Sequence, residues 1–505
     1  MQLHGYDVII IGGGSAGCAA AARLSEDPKR QVLLLEAGPD PRPIPEMIAD
    51  GSQGVRNLLE SPYIVMYPTK RKGDGSEFFN ISGRVMGGGS SVNQMAVVRP
   101  TKYDLDSWSA AGNPGWSFED CLPVLKRIET DVDYGDADYH GTEGPLYVKR
   151  PYRLDIEASA PVQAFIDRAM SMGMPMCPDL NVPDPFGVCG SAYNIKDGMR
   201  QSTTVAYLDP ARGRSNLHIV AEAAVTSLDI AYGRVTGVVY EKDGEMLTAS
   251  ADRVVLSAGV YHSPQILMLS GIGPVKDLEK LGIGVVHRLD GVGENYQDHA
   301  TIEMTYEGVS DFNPDWVIPR FRLMYKSDPS LPVGNFHIFM RPPMEVPGLK
   351  RMMPVSADLI EQTARGRVYL NSADSHELPE IEDAMLEHPN DIKAMTTAME
   401  FIHELIQHES MSGYYGPLLQ PTPDEDWAAF ARSAHGSYHH GVGTCMMGPS
   451  SNTMTVVDNK LQVHGIDGLF VADASIMPTV THGNTNVTAI MIGERVADFI
   501  KEAGG

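Results

Sequence analysis

Two turn-like stretches gather imidazoles and carboxamides in little space: Tyr438-His439-His440-Gly441-Val442-Gly443-Thr444 and His482-Gly483-Asn484-Thr485-Asn486-Val487-Thr488. An imidazole titrates near neutral pH, so it can take and return a proton under working conditions. A carboxamide N–H donates to an oxygen that is gaining negative charge and does not compete for the proton. Polar surface turns would share this composition, but the small and apolar flanks, Gly441 to Met447 and Val487 to Ile492, point inward. A second chemistry-bearing segment stands more than 400 residues earlier, where Gly12-Gly13-Gly14-Ser15-Ala16-Gly17 matches GxGxxG. Gly12 allows a tight turn, Gly14 lets the backbone approach a pyrophosphate, and Gly17 lets helix and strand pack closely. Ser15 and Ala16 open the helix, whose free N–H groups and positive dipole end suit phosphates. Glu36-Ala37, about 20 residues on, offers a carboxylate to ribose hydroxyls and repels a 2′-phosphate. The motif alone does not separate FAD from NAD. Together the segments describe one redox site closed by distant parts of the chain.

Several elements must position these groups. Val8-Ile9-Ile10-Ile11 and Val32-Leu33-Leu34-Leu35 read as buried parallel strands, joined by a small-residue helix from Cys18 to Leu24. A second glycine loop, Gly83 to Asn93, packs backbone donors densely enough for a cofactor's phosphate or ring edge. Val254 to Gly259 reads as another buried strand, leading into a helix from Ser263 with Pro264 in its first turn. Leu217 to Val220 and Arg234 to Tyr240 alternate, which suggests a smaller sheet beside the parallel one. Gly334 to Met340 reads as a strand on which His337 shares a face with Asn335 and Phe339. Pro/Met-rich turns from Met340 to Pro354, a short strand at Gly366 to Leu370 and a helix from Asn390 to Ile406 complete this region.

Bulk properties narrow the class. A chain of 505 residues suggests two or three domains. A formal charge of −25 argues against nucleic acid or anionic lipid as partner. No apolar run approaches a membrane span. The strand-like run from Tyr6 to Ile11 begins too early for a leader to be expected. Five scattered cysteines without a CxxC pair argue against a disulfide framework or zinc, so no metal site and a reducing cytoplasm are expected. Cys18 and Cys445 read as packing residues.

The loop Gly83-Arg84-Val85-Met86-Gly87-Gly88-Gly89-Ser90-Ser91-Val92-Asn93 resembles the first signature of the glucose–methanol–choline (GMC) flavoprotein oxidoreductases, GR-x-x-GG-x-S-x-x-N. Gly259-Val260-Tyr261-His262-Ser263-Pro264 with Ser270-Gly271-Ile272-Gly273-Pro274 resembles the second, with Val260 in place of the usual Ser or Thr. Tyr103-Asp104 through Gly112-Asn113-Pro114-Gly115-Trp116, Tyr139-His140-Gly141, Gly144-Pro145-Leu146, and Val471-Ala472-Asp473-Ala474-Ser475 with Pro478 are similar to further family segments. The likeness is weakest between about residues 305 and 430.

The resemblance implies a mixed α/β (α+β) fold of the p-hydroxybenzoate-hydroxylase-like kind. A Rossmann-like FAD-binding domain, residues 1–155, 200–304 and 430–505, would interleave with a substrate-binding domain, residues 156–199 and 305–429, built on an antiparallel sheet backed by helices. It implies FAD held by Gly12, Gly14, Ser15, Ala16, Gly17, Glu36, Ala37, Arg84, Gly88, Ser91, Asn93, the backbone near Val225, Asp473, Ala474, Asn484 and Thr485. Some members tether FAD through a histidine in the Ser-Ser-x-Asn stretch; Val92 stands there and has no nucleophilic atom, so dissociable FAD is expected. His440, four before Thr444, matches the family's base, and Asn484, four before Thr488, matches its partner. His439, if extended, points the opposite way, and His482 or Asn486 takes the partner's place if the register shifts by two. His337 and His439 are candidates for the substrate pocket. The implied reaction takes an alcohol, weakly a primary aryl or furanic one, to its aldehyde or ketone by proton removal and hydride transfer to flavin N5. Oxygen or a quinone-like acceptor would reoxidise the flavin, and oligomeric state stays open. A hydroxynitrile-lyase type of lyase and a photodecarboxylase are the alternatives on the same fold.

Overall fold

Val8, Ile9 and Ile10 are fully buried and Ile11 nearly so, as a β-branched run covered on both faces requires. They belong to the strand Leu3–Ile11, which pairs in parallel with Val32–Leu35 on one side and Glu245–Leu256 on the other. The computed structural model describes residues 3–52, 58–151, 158–309, 321–345 and 350–503. Leu217–Val220 extends this sheet beyond Val32–Leu35, and Leu469–Val471 pairs with the far end of Glu245–Leu256. Arg234–Lys242 and Ala224–Ala231 continue the same sheet antiparallel. These strands thus extend the main sheet rather than forming the smaller sheet expected from sequence. At 12 residues, Glu245–Leu256 is long enough to serve the antiparallel hairpins with its first half and the parallel strands with its second.

A second sheet of eight strands is antiparallel except for the pair Met176–Cys177 and Gly187–Gly190. Its centre runs Ala300–Gly308, Met352–Leu359, Phe336–Met340, Phe321–Tyr325. The register puts Leu323, Ile338, Ala357 and Ile302 in one row. This apolar face packs on the helices Ala160–Ser171 and Pro389–Ile406. The opposite face carries Met324, His337, Asp358 and Thr301 in one row and Phe339, Ser356 and Glu303 in the next. Arg322, His337, Ser356 and Asp358 are buried there. An antiparallel sheet commonly leaves its polar face to water; here that face is turned into the molecule, toward the site.

A four-stranded sheet takes Ile64–Arg71 and Glu77–Gly83 from early in the chain and Arg367–Tyr369 and Glu380–Asp383 from late. The sequence-based boundaries at 304/305 and 429/430 fall inside the strand Ala300–Gly308 and the helix Trp427–Ala434. The boundary at 155/156 lies outside the described residues, as do residues 346–349 of the expected Met340 to Pro354 turns. Within that segment, Met352 to Pro354 open a strand rather than a turn, because Met353, Pro354 and Val355 find partners on Ala300–Gly308. No helix among the described residues is long and apolar enough to cross a membrane.

Candidate active site

A cavity of about 870 Å³ lies between the two large sheets, within the range of cofactor and ligand sites. At one end it is lined by Gly12, Gly14, Ser15 and Ala16, with Glu36 and Ala37 beyond them. Sterics explain the glycines. A Cβ on Gly12 would meet Ser257 O at 2.4 Å, and one on Gly17 would meet Gly12 O at 1.9 Å. Gly17 is therefore a packing residue behind the cavity. At Gly14 nothing lies within 4 Å of where a Cβ would stand, which leaves room for a pyrophosphate. The helix Ser15–Leu24 starts here with Gly14 as N-cap and no side-chain cap, so its first N–H groups face that room. Glu36 accepts from Gly13 N and Gly38 N, each at 2.7 Å, and burial pushes its carboxyl up.

The middle of the cavity is lined by Arg84, Gly88, Val92 and Asn93 from the second glycine loop, by Val225, and by Asp473 and Ala474. Ser91 is buried away from it, its hydroxyl donating to Met86 O at 2.8 Å. Asp473 receives Gly259 N at 2.8 Å, Ser263 Oγ at 2.6 Å and Ser475 N at 2.8 Å. It thereby clamps the start of the helix Gly259–Leu269. That helix begins before Ser263, so Pro264 sits inside it rather than in its first turn. The reason is tertiary. Proline frees the carbonyl of Val260, four residues back, and Thr444 Oγ1 donates to that carbonyl at 2.6 Å. The vacant backbone acceptor thus anchors the segment that carries His440.

At the far end stand His439, His440, Asn484 and Thr485. Asn484 Nδ2 is 3.1 Å from His440 Nε2. On its other side His440 Nδ1 is 2.9 Å from His299 Nδ1, and His299 Nε2 is 3.0 Å from Thr481 O. These contacts assign the protons. A carbonyl only accepts, so His299 Nε2 carries a hydrogen. Burial holds His299 neutral, down at about 3, so its Nδ1 is a bare acceptor. His440 must then donate from Nδ1. Burial, with His299 next, also pushes His440 well below the usual histidine range, which leaves its Nε2 as a free lone pair facing the Asn484 amide and the cavity. Asp298 fastens this corner, accepting from His299 N at 2.7 Å, His440 N at 2.8 Å and Ser437 Oγ at 2.6 Å.

The neighbouring candidates sit elsewhere. His439 has φ +61, a left-handed turn residue rather than an extended one, so it lines the cavity beside His440 instead of pointing the opposite way. Asn486 Oδ1 accepts from Ser15 Oγ at 2.7 Å and joins the two helix starts. His482 Nδ1 lies 2.6 Å from buried Asp104. His337 is fully buried and does not line the cavity, and neither ring nitrogen is hydrogen-bonded among the described residues. Cys18 and Cys445 are buried, and burial pushes the Cys18 thiol up to about 12. Glu129, Asp131 and His140 lie within ligand-like reach of one another. Arg99 on Glu129 at 2.5 Å and Arg150 on Asp131 at 2.8 Å balance those carboxylates internally.

Sequence reasoning missed Asp298, His299, Arg322 and Arg341. The first two had a visible signal: Gln297-Asp298-His299, three polar residues entering an apolar strand, all of them wholly buried. The lone-pair imidazole, the amide beside it and the glycine cradle fit a dinucleotide redox site, with Val92 offering no nucleophile to a cofactor.

Comparison with known proteins agrees. Two family models described as GMC oxidoreductase match residues 6–301 and 362–493. The chain is 34% identical to human mitochondrial choline dehydrogenase, over 98% of this chain and 90% of that protein. It is 33% identical to choline oxidase of Arthrobacter globiformis, over 99% of this chain and 94% of that one. Its fold superimposes on pyridoxine 4-oxidase from Mesorbium loti with a TM-score of 0.90, at 29% identity and 99% coverage of both chains. The family resemblance drawn from the glycine loop and the accompanying motifs is confirmed: the chain belongs to the GMC family and is an FAD-dependent oxidoreductase acting on CH–OH donors.

Proposed function

We propose that the protein oxidises an alcohol to its aldehyde or ketone, with His440 as the base and Asn484 holding the alcohol oxygen. The observation that supports this most is the contact of Asn484 Nδ2 with a His440 Nε2 that carries no proton. A hydroxyl entering between them donates to Nε2 and accepts from the amide, so proton removal and oxygen stabilisation act on one atom. His299 keeps the Nδ1 proton of His440 in place, and Asp298 fixes the backbone of both histidines. Bound FAD supplies the hydride acceptor. With Val92 at the tether position, the FAD is non-covalent. Phe339 and Tyr438 line the end near His440 and suit a planar aryl or furanic substrate. Relatives named for quinone and for oxygen use allow either acceptor here.

The test is anaerobic mixing of an alcohol panel with the holoenzyme while the flavin band is followed. Bleaching is expected in the wild type. In His440→Ala, flavin content should persist while reduction slows about 10²–10⁴-fold. Near-normal reduction in that variant removes His440 from the mechanism. Cyanide release without bleaching points to a lyase, and peroxide formation in air separates oxidase from dehydrogenase. Flavin that stays with the precipitated, denatured chain disproves the non-covalent assignment.

A further inference from the structure

The cavity wall next to His440 is built of cations and an aromatic ring. Arg322 and Arg341 both line it. Their guanidinium carbons lie 5.4 Å and 4.9 Å from the centroid of Phe339. Phe339 neighbours Tyr438 at 6.4 Å, and Tyr438 neighbours His440 at 4.7 Å between centroids. A short path of rings therefore joins the guanidinium pair to the base.

A buried guanidinium is costly unless it is paired. Arg322 is 2% exposed, yet among the described residues it forms no ion pair. Its Nη1 donates to Ser191 Oγ at 2.9 Å, the neutral hydroxyls of Tyr438 and Tyr193 also meet the guanidinium, and its Nε has no hydrogen bond. Arg341 is partly neutralised: its Nε lies 3.2 Å from Glu303 Oε1, and its Nη2 donates to Ser356 Oγ at 3.3 Å. The other carboxyl on this face, Asp358, is held by Thr301 and Ser356 hydroxyls and forms no ion pair among the described residues. Burial pushes that carboxyl up, against the pull of Arg341 and Arg322. Tyr193 and Tyr438, which face Arg322, are pushed up by burial and stay neutral, and His299, His337, His439 and His440 add no negative charge. Among the described residues, the guanidinium of Arg322 is thus left without a carboxylate in ion-pair contact at the cavity wall.

Resting on the proposed alcohol oxidation, we infer that the substrate is a ring-bearing alcohol that also carries a carboxylate, gripped by Arg322 and Arg341 while its hydroxymethyl group meets His440 and Asn484. The planar guanidinium fork matches a carboxylate, and the ring lies along Phe339 and Tyr438. The alcohol gives its O–H proton to His440 Nε2 and its carbinol hydride to FAD. The carboxylate is unchanged.

The test compares para-hydroxymethylbenzoate with para-hydroxymethylbenzamide, alike in shape but not in charge, on the holoenzyme. The carboxylate should show kcat/KM about 10- to 100-fold higher, the span of a charge-assisted contact. Arg322→Gln and Arg341→Gln should each collapse that ratio; Arg341, less buried, covers the case in which Arg322→Gln does not fold. Equal use of the two alcohols, or an unchanged ratio in Arg341→Gln, overturns the inference. Titration with para-toluate, which cannot be oxidised, separates the two readings through its perturbation of the flavin spectrum. If toluate binds and weakens in Arg341→Gln while neither alcohol reduces the flavin, the anion site stands and the alcohol reading falls. If the amide alcohol is oxidised and toluate does not bind, only the anion site falls.

Discussion

In the proposed mechanism, the tautomer of His440 is set by an atom that never touches substrate. His299 Nδ1 accepts the proton that would otherwise be free to move to the working nitrogen of His440. His299→Ala should therefore slow anaerobic flavin reduction about 10- to 100-fold, as loss of an orienting partner does, while flavin content holds. A change in the acid limb of the pH profile should accompany it, because His440 could then carry its single proton on either nitrogen. An unaltered profile with near-normal reduction would make His299 a packing residue only. The polar run Gln297-Asp298-His299 marks this spot in the sequence but not its role. His299 stands just before the strand Ala300–Gly308, and its meaning arises only when that strand pairs with Gly436 and Ser437, which lead into His440. The glycines were legible for the opposite reason: the clash at Gly17 and the open space at Gly14 are properties of a local strand–loop–helix.

At the scale of elements, the turn that carries Asn484 is tied to the helix Lys102–Ala110. Asp104 closes the capping box of that helix with Thr101 and also binds His482 N and Nδ1. Burial opposes a charged His482, but Asp104, with help from Glu361, outweighs it and raises the imidazole from 6.5 to about 9. A raised cation stabilises the fold fully below pH 6.5, and the contribution is lost as pH rises through about 9. Urea midpoints should fall across that window in the wild type and fall less in His482→Gln. Equal slopes for the two proteins would refute the pairing. Element-level reading failed where pairing is long-range. Leu217–Val220 alternates like a half-exposed strand yet forms the edge of the main parallel sheet. Pro264 looked like a helix start because Thr444, which satisfies the freed carbonyl, is 180 residues away in sequence.

Across the whole molecule, the cofactor end is sealed by the packing of Ser15–Leu24 on Thr485–Ala503. The two helices approach closely enough that a Cβ on Gly493 would meet Ala16 O at 2.2 Å. Gly493→Ala should cost about 1–3 kcal/mol, the price of overpacking, and lower the unfolding temperature most in flavin-free protein. An unchanged melting curve would mean that the helices separate freely. This junction has a consequence for how the molecule is made. The first strand and its glycine loop leave the ribosome long before the helix that covers them. Until then their apolar faces stand open to water, the kind of surface that draws chaperones or aggregates. Residues lining the cavity extend to Ala489, so the cradle has no second wall while translation is under way. Flavin capture is thereby a late maturation step, and nascent chains arrested before Leu469 should hold no flavin.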